Sequence, residues 1–201
     1  AEPKATIELR VHEEIMARYE YFVLRRSTQR GGDAVYFASD HSGDWQLWRA
    51  GLGGSDPVQV TTDGALAGAE SSDGQSLYVV RPETTGLWKM ALSNGLVTGE
   101  AELVVETLPA RDARDWVLLD TGVYYLQEQR GTKVVAFHDF ATGKSRAVSE
   151  VIRMANPSLA ASVDGATLFY GRVERSESDI TMLTPESQYR FVSPISGWEP
   201  V

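Results

Sequence analysis

The sequence predicts an all-β protein with the architecture of a β-propeller, and three features of the chain support this prediction. Segments rich in Val, Tyr, Phe and Trp recur with a period of about 45 residues, the length of a four-stranded propeller blade. Polar turns that contain Asp and Gly precede three of the four copies. The predicted strands are short, roughly four to six residues, and are separated by turns. One such unit cannot bury both faces of its sheet, so neighbouring units must stack.

The clearest copy of the unit spans residues 72–105. It begins with the polar turn Ser72–Gly74, continues with strands at Leu77–Val80 and Gly86–Met90, and ends with a strand at Glu102–Val105. Asp-Gly supplies the positive φ angles that a tight turn needs at low steric cost. Val, Tyr and Trp suit the pleated, half-buried surface of a strand. The copy therefore indicates one blade.

Three further copies follow the same order, and only the first of the four lacks a leading turn. Turns are predicted at 120–122 and 163–165, and strands at 34–37, 46–49, 57–60, 123–126, 134–137, 146–148, 168–170 and 179–183. We therefore expect about four four-stranded blades, with a β-sandwich as the alternative. Four blades are the lower limit for this fold. The sequence leaves open a compact ring, a piece of a larger ring, and a ring completed by a second copy of the chain.

The repeats divide the chain into three parts. Residues 1–33 form an N-terminal extension with six acidic and six basic residues. The alternation of Ile7, Leu9 and Val11 with polar residues predicts one strand, and residues 19–24 form a second β-rich run that also fits one face of a helix. Either segment could close the ring. Residues 34–184 hold the propeller repeats. Residues 185–201 contain three prolines and are predicted to form a C-terminal strap or tail.

Four stretches of the repeats resemble a known family. They are Tyr36–Gly43, in which a strand ends in Ser-Asp before a Gly turn and a Trp-bearing strand, together with Gly86–Met90, Asp139–Lys144 and Arg175–Ile180. In these stretches the chain resembles the TolB-like, WD-related β-propeller repeats of bacteria, as found C-terminal to winged-helix or kinase domains. The resemblance covers about three quarters of the chain and implies the propeller fold. It also implies a sensing or scaffolding part rather than an effector domain.

The composition excludes several classes of function. Nineteen Lys and Arg against 28 Asp and Glu give a net charge of -9, which argues against a protein that binds nucleic acid through phosphate contacts. No apolar run approaches the roughly 20 residues of a membrane-spanning helix. The chain has no Cys, which excludes disulfides, thiolate metal sites and a Cys nucleophile.

The candidate binding residues are Trp45, Trp198, His41, Asp40 and Asp44. The two tryptophans lie outside the repeat positions, so we expect them to be exposed, and exposed Trp is frequent in recognition sites. By contrast, Trp48 and Trp88 occupy equivalent positions in two copies and are predicted to pack between blades.

No cofactor and no metal site are expected, with calcium as a minor alternative. Asp40, Ser42 and Asp44 place oxygen ligands at alternate positions, as in short calcium-binding loops. The stretch lacks the bidentate Glu that completes such a loop. His12 and Glu13 begin a zinc-protease pattern, but Met16 stands where the second His ligand is required.

No catalytic residue is predicted. The sequence has neither a Gly-x-Ser-x-Gly elbow nor a Gly-x-x-x-x-Gly-Lys phosphate loop. The alternative function is a hydrolase or lyase that acts on a saccharide or peptide in the propeller channel. It requires a histidine within hydrogen-bond reach of carboxylates at one channel mouth, drawn from His41, His138, Asp40, Asp139 and Asp179.

The function predicted from these features is a noncatalytic recognition or scaffold module that binds a protein or peptide partner through loops at one end of the propeller. Partial rings can pair through open edges, so a homo-oligomer that completes the ring is a further expectation. The chain begins Ala1-Glu2-Pro3, which resembles a mature end after signal-peptide removal and indicates a periplasmic or secreted protein, with the cytoplasm as the alternative.

Overall fold

The computed structural model describes residues 22–25, 34–51, 56–110, 113, 115–129, 132–149, 159–162 and 164–170, and at 22–25, 132 and 170 it describes the backbone alone. These residues form fourteen β-strands and no α-helix. The described part of the chain also contains no helical segment with the length and apolar character that a membrane crossing requires. The predicted all-β class is confirmed.

The strands form three four-stranded antiparallel sheets and one two-stranded sheet, each with its strands in chain order. Blade I consists of β1 (Phe22–Arg25), β2 (Ala34–Ser39), β3 (Gln46–Gly51) and β4 (Val58–Gln59), and blade II of β5 (Ala67–Glu70), β6 (Ser76–Val80), β7 (Thr85–Ser93) and β8 (Leu96–Pro109). Blade III consists of β9 (Trp116–Leu119), β10 (Gly122–Gln129), β11 (Thr132–Asp139) and β12 (Lys144–Ala147), and the described part of blade IV of β13 (Leu159–Ala161) and β14 (Leu168–Tyr170).

The hydrophobic core is divided among the interfaces between successive blades. The I–II cluster includes Tyr36, Leu47, Leu77, Val79 and Met90. The II–III cluster includes Tyr78, Val80, Leu87, Trp116 and Tyr125. The III–IV cluster includes Leu126, Val135 and Leu159. Successive blades thus bury the faces that they turn toward each other, which is the stacking that the repeat period predicts.

Strand β6 shows how the sequence pattern produces this stacking. Leu77 and Val79 belong to the I–II cluster, whereas Tyr78 and Val80 belong to the II–III cluster. Successive side chains of a strand point to opposite faces of its sheet. A strand covered on both faces therefore needs an unbroken apolar run, and all four residues are nearly inaccessible to solvent. The run Leu77–Val80 is the sequence signature of a blade interior.

Two of the predicted Asp-Gly turns share one hydrogen-bond pattern. Ser71 Oγ donates to Asp73 Oδ1 at 2.6 Å and accepts from the Ser76 backbone N–H at 3.0 Å. In blade IV, Ser162 Oγ donates to Asp164 Oδ1 at 2.5 Å and accepts from the Thr167 N–H at 2.9 Å. In each turn the Ser hydroxyl, more than any other group, lowers the pKa of the Asp carboxyl. The same short motif therefore builds the same turn between the first two strands of blades II and IV.

The third predicted turn differs from these two. Only Asp120 and Thr121 connect β9 to β10, and Gly122 is already part of the strand, paired with Asp139. A Cβ atom at Gly122 would lie 2.6 Å from Phe137 Cζ and would overlap the His138 carbonyl oxygen. The glycine is therefore required by close contact with β11, and not by a positive φ in the turn as the Asp-Gly pattern suggested.

The outer edge of blade II is the 14-residue strand β8. Its pairing with β7 is interrupted by three register shifts, and it carries Glu100, Glu102 and Glu106 at exposed positions. Bulges and like charges prevent another chain from adding to a free strand edge. The edge of β8 is therefore protected against strand addition, although Leu96 and Leu103 are partly exposed there.

The structure also bears on the predicted boundaries. Blade I takes its first strand, β1, from residues 22–25, inside the segment assigned to the N-terminal extension, and β1 pairs with β2, the next strand in the chain. The predicted strands at 7–11 and 179–183, the stretch 175–180 and the C-terminal tail 185–201 lie outside the described residues. Ring closure and the role of the extension in it stay predictions.

Candidate functional site

The predicted candidates at 40–44 lie in the hairpin between β2 and β3. The Gly43 N–H donates to the Asp40 carbonyl at 2.8 Å, and the His41 N–H donates to Ser39 Oγ at 3.2 Å. Residues 41–44 are exposed, and Asp40 is half-buried. The His41 ring meets the edge of the Trp48 indole at a centroid distance of 5.9 Å. The hairpin thus presents a histidine and a carboxylate, Asp44, to solvent.

Trp45 differs from its prediction. It is half-buried and packs against the I–II cluster, and its carbonyl accepts a hydrogen bond from the Ala65 N–H at 2.8 Å. Trp45 is therefore less exposed than expected, and its role in binding stays a prediction. Trp198 lies outside the described residues. Trp88, predicted to pack between blades, is half-buried against the same cluster.

Calcium binding in the hairpin stays a prediction. Within the described ranges, no group of three or more His, Asp and Glu side chains is arranged to hold a metal ion. The two carboxylates Asp40 and Asp44 would need main-chain or hydroxyl oxygens as additional ligands.

A cavity of about 430 Å³ lies in the cleft between blades I and II. It extends from the linker 61–64, which joins β4 to β5, and from Arg81 after β6 to the first half of β8. Its lining residues are Val60, Thr61, Thr62, Asp63, Gly64, Arg81, Met90, Val97, Gly99, Glu100 and Ala101. Ligand sites in proteins have volumes of roughly 300–1,000 Å³. The cavity therefore has the size of a small-ligand or peptide site.

The linker that forms one wall is held by a buried glutamine of blade I. Gln46 Oε1 accepts from Thr61 Oγ1 at 2.8 Å and from the Gly64 N–H at 3.1 Å, and Gln46 Nε2 donates to the Thr62 carbonyl at 3.2 Å. Thr61 Oγ1 in turn accepts from the Leu47 N–H at 2.8 Å. The wall is thus rigid before any ligand binds, and a preformed wall reduces the entropy lost on binding.

Arg81 is the cationic group of the cavity. Its guanidinium carbon lies over the Trp88 ring, 4.9 Å from the ring centre, which is a cation-π contact. Arg81 Nη2 is 3.9 Å from Asp63 Oδ2, beyond hydrogen-bond distance, and the Arg81 side chain is 19 % exposed. Arg81 Nε is buried and has no hydrogen-bond partner in the described part of the chain. The guanidinium therefore makes no hydrogen bond to any of the described residues.

Sequence reasoning missed every residue of this cavity. Arg81 follows a strand and precedes Pro82, a position where a solvated charge is common. Asp63 and Glu100 belong to no recognisable binding motif in the sequence. The lining comes from three separate segments, 60–64, 81 and 90–101, which only the packing of blade I on blade II brings together. The one local signal was Trp88, whose repeat position placed it between blades.

The opposite end of the I–II interface is closed by a buried polar pair. Tyr36 Oη donates to Glu70 Oε2 at 2.7 Å across the two blades. Burial raises the pKa of Tyr36, with a further contribution from Glu70, so this hydroxyl stays protonated and keeps donating. The pair stabilises the interface and has the geometry of a structural contact, because both side chains are buried.

The blades share one orientation, which gives the stack two distinct ends. The hairpin face carries the 40–45 hairpin, the 61–64 linker and the 81–84 loop, and the Ala65–Trp45 hydrogen bond joins the first two. The opposite face carries the turns between first and second strands and between third and fourth strands. His41 follows the second strand of blade I, and His138 lies near the end of the third strand of blade III, so the two histidines belong to opposite faces.

His138 is buried, and its Nδ1 lies 3.0 Å from Ser145 Oγ on the neighbouring strand β12. His138 and Ser145 are directly paired in the strand register, so the contact is the expected cross-strand neighbour contact of a hairpin. Burial lowers the pKa of His138, and the nearby Asp139 opposes that shift. The neutral imidazole is therefore favoured in the folded protein, as in a structural histidine.

The lowered pKa of His138 predicts a pH dependence of stability. As the pH falls from 6.5, the ordinary pKa of the group, the unfolded chain takes up the proton before the folded one. The free energy of unfolding should fall by up to about 1.4 kcal/mol per pH unit until the folded pKa is reached. Urea unfolding between pH 8 and 5 measures the effect, which His138→Gln should remove. His41→Gln, at an exposed histidine, is the control, and an unchanged profile in His138→Gln would refute the prediction.

No protein-family model and no curated protein sequence matches this chain. Solved structures do resemble it. A protein assigned as TolB from Agrobacterium tumefaciens is 18 % identical with a TM-score of 0.57, and the match covers 75 % of this chain and 53 % of that one. The calcium-binding protein regucalcin from Agrobacterium tumefaciens C58 is 18 % identical with a TM-score of 0.52, and the match covers 71 % and 50 %.

A nidogen/laminin complex structure matches at 11 % identity and a TM-score of 0.50, over 74 % of this chain and 55 % of that one. The chain thus spans about half the length of these three structures. At such low identities the likeness establishes the fold alone. The chain has a TolB-like β-propeller fold, of which the described residues form three four-stranded blades and part of a fourth.

Proposed function

We propose that the chain is a noncatalytic recognition module that binds a peptide segment of a protein partner at the cleft between blades I and II. The observation that carries the proposal is the cavity of about 430 Å³, with its rigid linker wall and an arginine that makes no hydrogen bond to the described residues. The lining combines apolar side chains with a larger share of polar and charged groups, which can fix the orientation of a bound peptide. The 40–45 hairpin lies at the same face and supplies additional polar contacts.

Peptide display against the immobilised chain, followed by affinity measurement on an enriched peptide, tests this function. Thr62→Trp places an indole at the cavity mouth, where Thr62 is exposed and holds Gln46 only through its carbonyl. We expect this variant to weaken binding about tenfold or more. Ser72→Trp, at an exposed turn on the opposite face, is the matched control and should bind like the wild type. Equal affinity of Thr62→Trp and wild type, or failure to enrich any peptide, would refute the cavity as a peptide site.

The alternative, a hydrolase or lyase, has one observation in its favour, the contact between His138 and Ser145. His41 and His138 lie on opposite faces, and Asp179 lies outside the described residues. Mass spectrometry of the selected peptide after incubation with the chain separates the two functions. We expect the peptide to stay intact, and cleavage that Ser145→Ala abolishes would favour the hydrolase.

Two further parts of the proposal concern the location of the protein and its assembly. A periplasmic or secreted location, with the cytoplasm as the alternative, is tested by fractionation of the native cells. A homo-oligomer that completes the ring is tested by light scattering. A dimer mass would make the joint between two copies the first surface to examine.

A further inference from the structure

We infer that Arg81 is the anchor for a carboxylate of the bound peptide, an inference that deepens the proposed function and rests on it. A guanidinium has five N–H donors in a planar fork, which matches the two oxygens of a carboxylate. In this chain none of those donors makes a hydrogen bond to a described residue, although the side chain is only 19 % exposed. Nε is buried, and donors that no described residue satisfies favour a ligand that supplies acceptors.

The surroundings of Arg81 prepare it for this role. The cation-π contact with Trp88, at 4.9 Å from the ring centre, restricts the position of the guanidinium. An arginine that is already oriented loses less entropy for each hydrogen bond it forms. Asp63 is a weak competitor, because its side chain is 79 % exposed and its oxygen is 3.9 Å from Nη2. A peptide carboxylate can therefore displace Asp63 into solvent.

The rest of the lining restricts the ligand further. Val60, Met90, Val97 and Ala101 form an apolar wall that accepts an aliphatic side chain. Asp63 and Glu100 bring two negative charges against the single positive charge of Arg81, so the lining carries a net charge of -1. A peptide with a carboxylate, an aliphatic residue and a nearby basic residue complements these groups. Inorganic anions lack the cationic and apolar groups and fit poorly.

Three defined probes separate the sources of the carboxylate. The first is acetyl-Lys-Ala-Leu with a free C-terminal carboxylate, the second is the same peptide as its C-terminal amide, and the third is acetyl-Lys-Glu-Leu amide, which carries only a side-chain carboxylate. Titrations followed through the indole N–H resonance of Trp88, assigned with Trp88→Phe, give a dissociation constant for each probe. We expect the first or the third probe to bind about tenfold or more tightly than the second.

Variants of the arginine complete the test. Arg81→Gln should remove the preference for a probe with a carboxylate over the second probe, which has none. Arg81→Lys should restore part of that preference, because the positive charge returns without the planar fork. Arg146→Gln is the matched control, since Arg146 also lies over an aromatic ring, Phe137 at 5.8 Å, but in blade III. Arg146→Gln should leave the preference for a carboxylate unchanged. Denaturant midpoints show that each variant is folded.

Two results would overturn the inference. One is that the first and third probes bind no more tightly than the second, or that none of the three probes binds. The other is an unchanged preference in a folded Arg81→Gln variant. In either case, a displayed peptide that binds the wild type and loses affinity for Thr62→Trp would still support the proposed recognition function. The binding of that peptide would then not depend on a carboxylate.

Discussion

Replacing Trp116 with alanine is expected to lower the free energy of unfolding by about 3–5 kcal/mol, as is typical when a large buried aromatic side chain is removed. Trp116 is 1 % exposed and lies in the II–III cluster, and its indole Nε1 donates to the Ala113 carbonyl at 2.8 Å. The variant leaves a cavity in the cluster and an acceptor without its donor. Guanidinium unfolding followed by circular dichroism measures the change.

Two controls define the meaning of this result. Val58→Ala, at a side chain 52 % exposed on β4, should change stability by no more than about 0.5 kcal/mol. Trp116→Phe keeps an aromatic ring in the cluster, and its loss of stability should lie between those of Val58→Ala and Trp116→Ala. A loss of under about 1 kcal/mol in Trp116→Ala would contradict the burial of the indole between blades II and III.

The same variant tests how far the blades depend on one another. Stability in repeat proteins is approximately a sum of terms within units and between neighbours. The cavity lies at the I–II interface, whereas Trp116 lies at the II–III interface. We therefore expect folded Trp116→Ala protein to retain probe binding. A loss of binding in parallel with stability would indicate that the blades unfold as one cooperative unit.

Replacing Gly122 with alanine is expected to cost about 3 kcal/mol, at the upper end of the range for overpacking. The added Cβ would lie 2.6 Å from Phe137 Cζ and would overlap the His138 carbonyl oxygen, which belongs to the paired backbone of β11. The strands cannot separate without loss of their hydrogen bonds, so the clash has no inexpensive relief.

Gly143→Ala is the matched control for Gly122→Ala. Gly143 has a φ of 65° and open space around its Cβ position, so alanine there meets only the conformational cost of about 1 kcal/mol. Denaturant midpoints of both variants give the comparison. Equal losses would contradict the close approach of β10 and β11 at Gly122.

The blades were predictable because local chemistry determines them. The run Leu77–Val80 is apolar at every position, which requires cover on both faces, and the structure provides it from blades I and III. The Ser-x-Asp-Gly segments at 71–74 and 162–165 form their turns through hydrogen bonds among neighbours in the chain. Such interactions act within a few residues, so the sequence alone is sufficient to identify them.

Trp45 and Gly122 mark the limit of local reasoning. Trp45 lies outside the repeat pattern, which suggested exposure, yet its indole packs against the I–II cluster, whose members come from both blades. Gly122 completes an apparent Asp-x-Gly turn, yet glycine is required there because the backbone of the paired strand leaves no room for a Cβ atom. In both cases the deciding contact comes from another part of the chain.

The sequence by itself determined the all-β class, the period of the blades and the turns that separate their strands, because each depends on neighbours along the chain. Only the tertiary structure decided where a ligand could bind. Arg81, Asp63 and Glu100 are ordinary surface charges in the sequence, and they become one cavity when blade II packs on blade I. Within blade II, the pairing of β6 with β7 places the Arg81 guanidinium over Trp88, where the side chain is partly shielded from water and has no hydrogen-bond partner among the described residues.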